Sequence, residues 1–352
     1  MTLMKALRFE AWHNPPVLKD IERPTPGPGE VLLKVAGAGA CHSDVSVFQD
    51  YDDALPTAKL MAPEYTLGHE SSGWVEEVGE GVLGVNRGEA YLVYGPIGCG
   101  MCAACSRGQD TYCENQYTNP YAAIGLGRDG GMAEYMVVPA RNLVALGDAD
   151  PIAAAPLADA GLTPYHAIKN AAPHLVGGGR YALVIGLGGL GQVAVQILKA
   201  ITGATVIATD MKEDAMAAAE ANGAVTVAGG EGQAERIREI TGGTGVNAVF
   251  DFVGITSTIE LARAVVAIQG SVTVAGIANG SVEWNFFTTP YESILTNTYW
   301  GTIEDLHEVA MLYRDGHITM DITTFTMDEA LTAYEKLINQ EILGRAVVVP
   351  HS

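Results

Sequence analysis

Basic charge is what this chain has least of. Lys and Arg number 20, only eight of them lysine, against 41 Asp and Glu, which leaves a formal net charge of −21. A field of that sign repels phosphate backbones and anionic headgroups, so nucleic acid and membrane surfaces are excluded as partners. The carboxylate excess suits a protein kept soluble in concentrated salt as well as it suits ordinary solubility. Long apolar runs are missing too. Tyr181 to Leu198 is uncharged and about long enough to cross a bilayer, but its glycines and two glutamines make a poor membrane helix. The opening MTLMKALRFE has no signal-peptide pattern, and a cytoplasmic location is expected. No repeat, heptad array or low-complexity tract is present. With 352 residues, 48% of them hydrophobic, the expectation is a soluble globular protein of two domains.

Cysteine is also scarce, and its placement is informative. Four of the five cysteines, Cys99, Cys102, Cys105 and Cys113, fall in CGMCAACSRGQDTYC, with gaps of two, two and seven residues. Gaps of two let successive thiolates converge on one ion, and the fourth closes a tetrahedron with no open position, the mark of a structural zinc. An iron–sulfur cluster is the first rival, but a ferredoxin-like run places its fourth cysteine after three residues and a proline behind it, whereas Glu114 follows here. A pair of disulfides is the second rival, and it requires an oxidising compartment. The fifth cysteine, Cys41, stands alone in CHSD.

The first 150 residues read as short strands broken by turn residues: Glu30 to Ala36, Gly73 to Val78, Ala90 to Tyr94 and Ala133 to Val138, with the rigid turn cluster PTPGPGE before the first. From about Gly161 the rhythm changes to apolar strands alternating with helical patterns, the habit of a parallel α/β sheet. There Tyr181 to Ile185 reads as a buried strand, followed by Gly186-Leu-Gly188-Gly-Leu-Gly191 and a helical run. In that setting GxGxxG is a dinucleotide turn. Gly186 permits the tight turn, Gly188 lets the backbone approach a pyrophosphate at the helix N-terminus, and Gly191 brings helix and strand together. The next strand, Thr205 to Thr209, ends at Asp210, nineteen residues after Gly191. A carboxylate there bonds both ribose hydroxyls and repels a 2′-phosphate, which favours NAD over NADP, although Lys212 lies close by. Strands at Ala248 to Val253 and Ser271 to Ala275 each run into a glycine, Gly254 and Gly276. Val253, Gly254 and Ile277 are therefore candidate neighbours of the nicotinamide ribose, the alternative being ordinary loop residues.

Cys41 and the pair His69-Glu70 are 28 residues apart. Spacing alone does not make them a metal site, because a lone cysteine is usually buried structure and a lone histidine a satisfied polar residue. Taken together, however, GACHSD, LGHE, the four-cysteine lobe, GGMAEY, AAPLADAGLTPYHAI, GLGGLGQ, DFVG, YWGT and GRAVVVP resemble the zinc-dependent medium-chain alcohol dehydrogenases over essentially the whole chain. The bacterial NAD-dependent secondary-alcohol dehydrogenases are the nearest group.

The resemblance implies an α/β fold: a GroES-like β-rich catalytic domain over residues 1–160 and 301–352, and a Rossmann-type doubly wound parallel-sheet domain over 161–300, with the active site in the cleft between them. It implies two zinc ions per subunit, one catalytic and one structural. Cys41, His69 and Asp159 match the catalytic zinc ligands, Asp159 standing where many members have cysteine. Glu70 matches the carboxylate behind the metal, and Ser43 the hydroxyl that takes the alcohol proton. His42 matches a pyrophosphate contact, Thr163 a nicotinamide contact, and Arg345 an arginine near the phosphates. Ser46 stands where many members place the outer histidine of the proton path, which leaves the terminal acceptor unassigned. Trp300 and Tyr299 match pocket-lining positions, and Tyr121 lies in a loop that reaches toward the pocket. Aromatic walls favour an apolar alcohol or ketone over a sugar, with core or interface aromatics as the alternative. A homotetramer is implied, or a dimer formed through a last strand near Thr296. A polyol or sugar dehydrogenase of the same superfamily and a non-catalytic NAD-binding protein are the competing functions. A metal-free quinone oxidoreductase has no need of Cys41, His69 and Asp159 together.

Overall fold

The computed structural model describes residues 2–49, 63–116 and 123–352. It divides into two compact units. The first comprises Met1–Asp159, Thr302–Gly316 and Met320–Ser352, and the second Ala160–Gly301 with His317–Thr319.

The first unit is built on two larger sheets, beside the short pair Ala123–Ile124 and Gly127–Arg128. Leu3–Phe9 pairs antiparallel with Val17–Glu22 on one side and Tyr65–Thr66 on the other. A seven-stranded sheet runs in the order Leu143–Ala145, Ala90–Val93, Glu70–Val78, Glu30–Ala40, Arg345–Val349, Ile322–Thr326, with Tyr135–Pro139 also pairing onto Glu30–Ala40. The central strand Glu30–Ala40 is buried along almost its whole length. It outruns the expected end at Ala36 because the added residues Gly37, Ala38, Gly39 and Ala40 are small, weak strand formers that a propensity reading rejects. Close approach of neighbouring chains explains them. A Cβ on Gly37 would meet Val347 Cγ1 at 2.9 Å, and one on Gly39 would meet Glu70 Oε2 at 2.0 Å. The C-terminal ITTFTMDEALTAYEKLI forms the strand Ile322–Thr326 and the helix Ala330–Ile338, which buries Ala330, Ala333, Tyr334 and Leu337 at helical spacing.

The second unit is a six-stranded parallel sheet. Its spatial order is Val225–Thr226, Thr205–Thr209, Tyr181–Ile185, Val246–Asp251, Val266–Val274, Ile294–Asn297. Counted along the chain, that order is 3-2-1-4-5-6, the doubly wound dinucleotide-binding arrangement, with its switch point between Tyr181–Ile185 and Val246–Asp251. Leu183, Ile185, Ile207, Val249 and Val272 are each no more than 3% exposed and form the core of this unit. The strand expected to end at Val253 stops at Asp251. There the carboxylate accepts the Val253 and Gly254 amides at 2.9 and 3.0 Å and turns the chain out of the sheet. The strand expected from Ser271 begins at Val266, and its register jumps between Val246 and Ala248, an irregularity at Gln269 and Gly270 that Gln269's φ of 59° accompanies. Among the described residues no helix is long and apolar enough to cross a membrane.

Candidate active site

The metal-binding candidates of the first unit assemble where two neighbouring strands end or begin. Cys41 follows Glu30–Ala40 and precedes the helix His42–Gln49, while His69 immediately precedes Glu70–Val78, the strand paired antiparallel with Glu30–Ala40. Antiparallel register sets Gly39 opposite Glu70, so that residues 31 positions apart in sequence become cross-strand neighbours. Asp159 arrives at the end of the 3-10 turn Ala155–Ala158. The ligand atoms of Cys41, His69, Glu70 and Asp159 lie within 4.8 Å of one another. Cys41 Sγ is 3.9 Å and His69 Nε2 3.6 Å from Asp159 Oδ2. Donors bonded to one tetrahedral zinc stand about 3.4–3.8 Å apart, so a thiol, an imidazole and a carboxylate are present at nearly the separations the ion demands.

Behind these donors lies a carboxylate absent from the sequence-based list. Asp44 is completely buried; its Oδ1 sits 2.9 Å from His69 Nδ1. Its Oδ2 accepts the Cys41 amide at 3.1 Å and the Tyr334 hydroxyl at 2.8 Å. With Nδ1 committed to Asp44, the His69 lone pair is left on Nε2, facing Asp159, which is the tautomer a metal ligand needs. Burial works against a charged imidazole here, but the negative charge of Asp44, with Asp159 and Cys41, outweighs it and holds the His69 pKa well above its ordinary value. Asp44 follows Cys41 by three residues, a spacing at which a helix-capping carboxylate is normal, so nothing in the pattern marks it for a second task.

Glu70 is completely buried beside the cluster, and Arg345, 4% exposed, engages both its oxygens, with Nε donating to Oε2 at 2.9 Å and Nη2 donating to Oε1. Burial pushes the Glu70 carboxyl above its usual range, and Arg345 pulls it only part of the way back. This placement differs from the expectation for Arg345. Its guanidinium is an interior partner of Glu70, because a fully buried carboxylate requires a charged, hydrogen-bonded counterpart. Ser43 Oγ lies 3.4 Å from Cys41 Sγ. On the same helix His42 is exposed and Ser46 half-buried.

The four-cysteine lobe also closes. All four sulfurs lie within 4.8 Å of one another, and Cys102 Sγ is 4.0 Å from Cys113 Sγ, about twice a disulfide bond and close to a zinc-site edge. All five cysteines are free, so the disulfide alternative does not describe this chain. Backbone amides line the sulfurs. The Met101 amide, the Asn115 side chain and the Cys102 amide pull the Cys99 thiol down to about 6, while burial pushes Cys105 up to about 12. Asp110 ties the lobe to its surroundings, accepting from the Gly98 amide at 3.1 Å and from Arg141 Nη2 at 2.7 Å.

In the second unit the glycine turn has the geometry its spacing predicts. Gly186 has φ +85°, and a Cβ there would meet Val253 Cγ2 at 2.6 Å. Gly188 opens onto free space, and a Cβ on Gly191 would fall 1.9 Å from the Gly186 carbonyl. Asp210 Oδ2 accepts the Leu187 amide at 2.6 Å and Oδ1 the Lys212 amide at 3.0 Å, which fixes the carboxylate beside the turn. Gly254 packs against Gly276, where a Cβ would meet the Gly276 carbonyl at 2.2 Å. Ile277 is half exposed, and Thr163 is buried in the first turn of Leu162–Leu175. Tyr299 presents surface, whereas Trp300 is only 2% exposed and stacks obliquely on it at 5.2 Å. Trp300 is thus an interior residue, as the core alternative to a pocket-lining position has it. Tyr121 lies outside the described residues.

Comparison with known proteins agrees with both halves. Residues 27–148 match the alcohol dehydrogenase GroES-like domain and residues 189–313 the zinc-binding dehydrogenase domain. The NAD-dependent alcohol dehydrogenase of Sulfurisphaera tokodaii is 33% identical over 355 residues, covering 99% of this chain and 100% of its own length. Among solved structures, the alcohol dehydrogenase of Aeropyrum pernix superposes with a TM-score of 0.88 at 35% identity, covering 98% of this chain and 100% of that one. The acetophenone reductase of Geotrichum candidum, solved with NAD, gives a TM-score of 0.86 at 33% identity, covering 99% and 97%. This chain belongs to the zinc-dependent medium-chain alcohol dehydrogenase family.

Proposed function

We propose that this chain is an alcohol dehydrogenase that moves a hydride reversibly between a secondary alcohol and NAD, using one catalytic and one structural zinc per subunit. The observation that carries the reading is the convergence of Cys41, His69 and Asp159, with Glu70 behind them, in a chain that also holds the Gly186–Gly191 turn and Asp210. Zinc held by the three donors would supply a Lewis acid that lowers the pKa of the alcohol hydroxyl, and the nicotinamide would supply the hydride acceptor. The chain's own groups do the rest. Cys41, His69 and Asp159 would hold the zinc as three protein donors and would leave room for the substrate oxygen. Glu70, held by Arg345 through both oxygens, would stand behind the metal and could enter its shell when water or substrate leaves. Ser43 would take the alcohol proton, and with Ser46 in place of a histidine the cofactor ribose and water would have to supply the onward acceptor. The amides at the start of the helix Gly189–Ile201 would receive the pyrophosphate, and Asp210 would receive the ribose hydroxyls and disfavour a 2′-phosphate.

Preference for a secondary alcohol rests on the exposed ring of Tyr299 and on the likeness to an acetophenone reductase, since reducing that ketone yields a secondary alcohol. Assembly rests on the edge strand Ile294–Asn297, with Phe286, Phe287 and Tyr291 exposed nearby. A second copy pairing along that edge would cover them and form the dimer of a homotetramer. Five free thiols fit a reducing, cytoplasmic compartment.

The test is NAD reduction by purified protein with a secondary alcohol, a primary alcohol and a polyol, each with and without a zinc chelator. Chelator-sensitive turnover fastest on the secondary alcohol is the expected result. Polyol preference would move the assignment to a sugar or polyol dehydrogenase, and NAD binding without turnover would refute catalysis.

A further inference from the structure

A buried hydroxyl beside the metal-binding candidates that the proposed reaction does not use is that of Tyr334. It lies on the helix Ala330–Ile338, is 2% exposed, and donates to Asp44 Oδ2 at 2.8 Å across a sequence separation of 290. Asp44 is hydrogen-bonded to parts of two candidate ligands at once, through the Cys41 amide on Oδ2 and His69 Nδ1 on Oδ1. A carboxylate turns about its terminal bond unless both oxygens are held, and Oδ1 can stay aimed at His69 only while Oδ2 is anchored. The Cys41 amide alone is a long anchor on the very residue being positioned. Tyr334 brings a shorter one from a separate element, whose ring is braced edge-on by Phe48 at 5.9 Å.

We propose that Tyr334 is a positioning residue of the metal site: its hydroxyl fixes the Asp44 carboxylate, which in turn fixes the His69 ring and the Cys41 backbone for the metal. The inference rests on the zinc reading above. It assigns the C-terminal helix a role in metal retention, where burial alone would make it only a lid of packing. Outer-shell partners of metal ligands cost about ten- to a hundredfold in affinity when removed, and one step further out the lower end of that range is expected.

The test follows zinc release from the whole, zinc-loaded protein into a chromogenic chelator, for the wild type, Tyr334→Phe and Phe48→Leu. Tyr334→Phe keeps the ring and deletes only the hydroxyl. It should release the zinc whose loss coincides with loss of turnover about tenfold faster, while the four-cysteine zinc leaves at the wild-type rate. Phe48→Leu loosens the ring packing and keeps the hydroxyl, so both zincs should leave at wild-type rates. Unchanged release from Tyr334→Phe would overturn the proposal. Equal acceleration in the two variants would assign the effect to packing and overturn it too, as would a Tyr334→Phe protein that loses both zincs or its fold. A wild-type protein that holds no zinc would instead remove the reading beneath it.

Discussion

Replacing Arg345 with methionine tests the electrostatic account of the site most directly. Arg345 and Glu70 form an ion pair in which neither side chain is more than 4% exposed. Taking away the cation leaves an uncompensated carboxylate in a dry interior, a change that costs about 3–5 kcal/mol. In a unit of roughly 200 residues each kcal/mol lowers the melting temperature by about 2–4 °C, so the metal-free variant should melt about 6–20 °C below the metal-free wild type. Methionine has nearly the right length and no charge, so lost packing contributes little. The pH dependence separates charge from shape. Burial already raises the Glu70 carboxyl above its ordinary value despite Arg345. A carboxyl whose folded pKa exceeds its unfolded one destabilises the fold in full above the folded pKa and not at all below the unfolded one. Removing Arg345 widens that gap. The defect should therefore be largest near neutral pH and shrink as the pH falls toward the ordinary glutamate range, about 4.3. The double variant Arg345→Met, Glu70→Gln, with no charge left to bury, should recover most of the lost stability at pH 7. Thermal melts of the four metal-free proteins over that pH range settle the matter. A loss under about 1 kcal/mol, the worth of an exposed pair, or a double variant no better than Arg345→Met, would refute the buried-charge argument.

Further outcomes follow from other parts of the structure. Gly191→Ala places a methyl where the Gly186 carbonyl stands, 1.9 Å away, so NADH binding measured by fluorescence should fall by about five- to 150-fold, given that overpacking costs about 1–3 kcal/mol; unaltered binding would show the turn to be more pliant than it looks. The His69 pKa is held well above its ordinary value in the metal-free site, so zinc must displace the His69 proton. Zinc affinity by chelator competition should therefore climb with pH through the neutral range, by about tenfold per unit for each proton displaced, and a flat profile would contradict the raised pKa. The net charge of −21 predicts a melting temperature that rises between dilute buffer and about 1 M KCl, where the Debye length shrinks to about 3 Å; equal values at both salt levels would leave the acidic surface as simple solubility.

What the sequence made legible and what it hid divide along a physical line. Tyr181–Ile185 and Thr205–Thr209 have the same bounds in the sequence reading and in the structure, because a buried parallel strand shows as an uninterrupted apolar run whatever lies around it. The glycine turn and the cysteine lobe are likewise local, each set by backbone geometry over fewer than twenty residues. Asp44 and Tyr334, which were missed, and Arg345, which was expected near the phosphates, act through space. Asp44 looks like a helix cap, Tyr334 looks like one more apolar position on an amphipathic helix, and Arg345 opens a strand whose other residues are Ala and Val. Each acquires its task from a partner far along the chain: Tyr334 from Asp44 at a separation of 290, Arg345 from Glu70 at 275. No period or spacing rule reaches that distance. The strand Glu30–Ala40 shows the same limit in miniature. Its last four residues are small because Val347 and Glu70 press against them, and a reading by propensity takes that smallness for the end of the strand. Glycine in a strand next to a buried carboxylate is therefore informative in itself: Gly39 leaves room for the Glu70 oxygen that Arg345 holds, so the pair behind the metal leaves its one local trace in a residue that carries no chemistry.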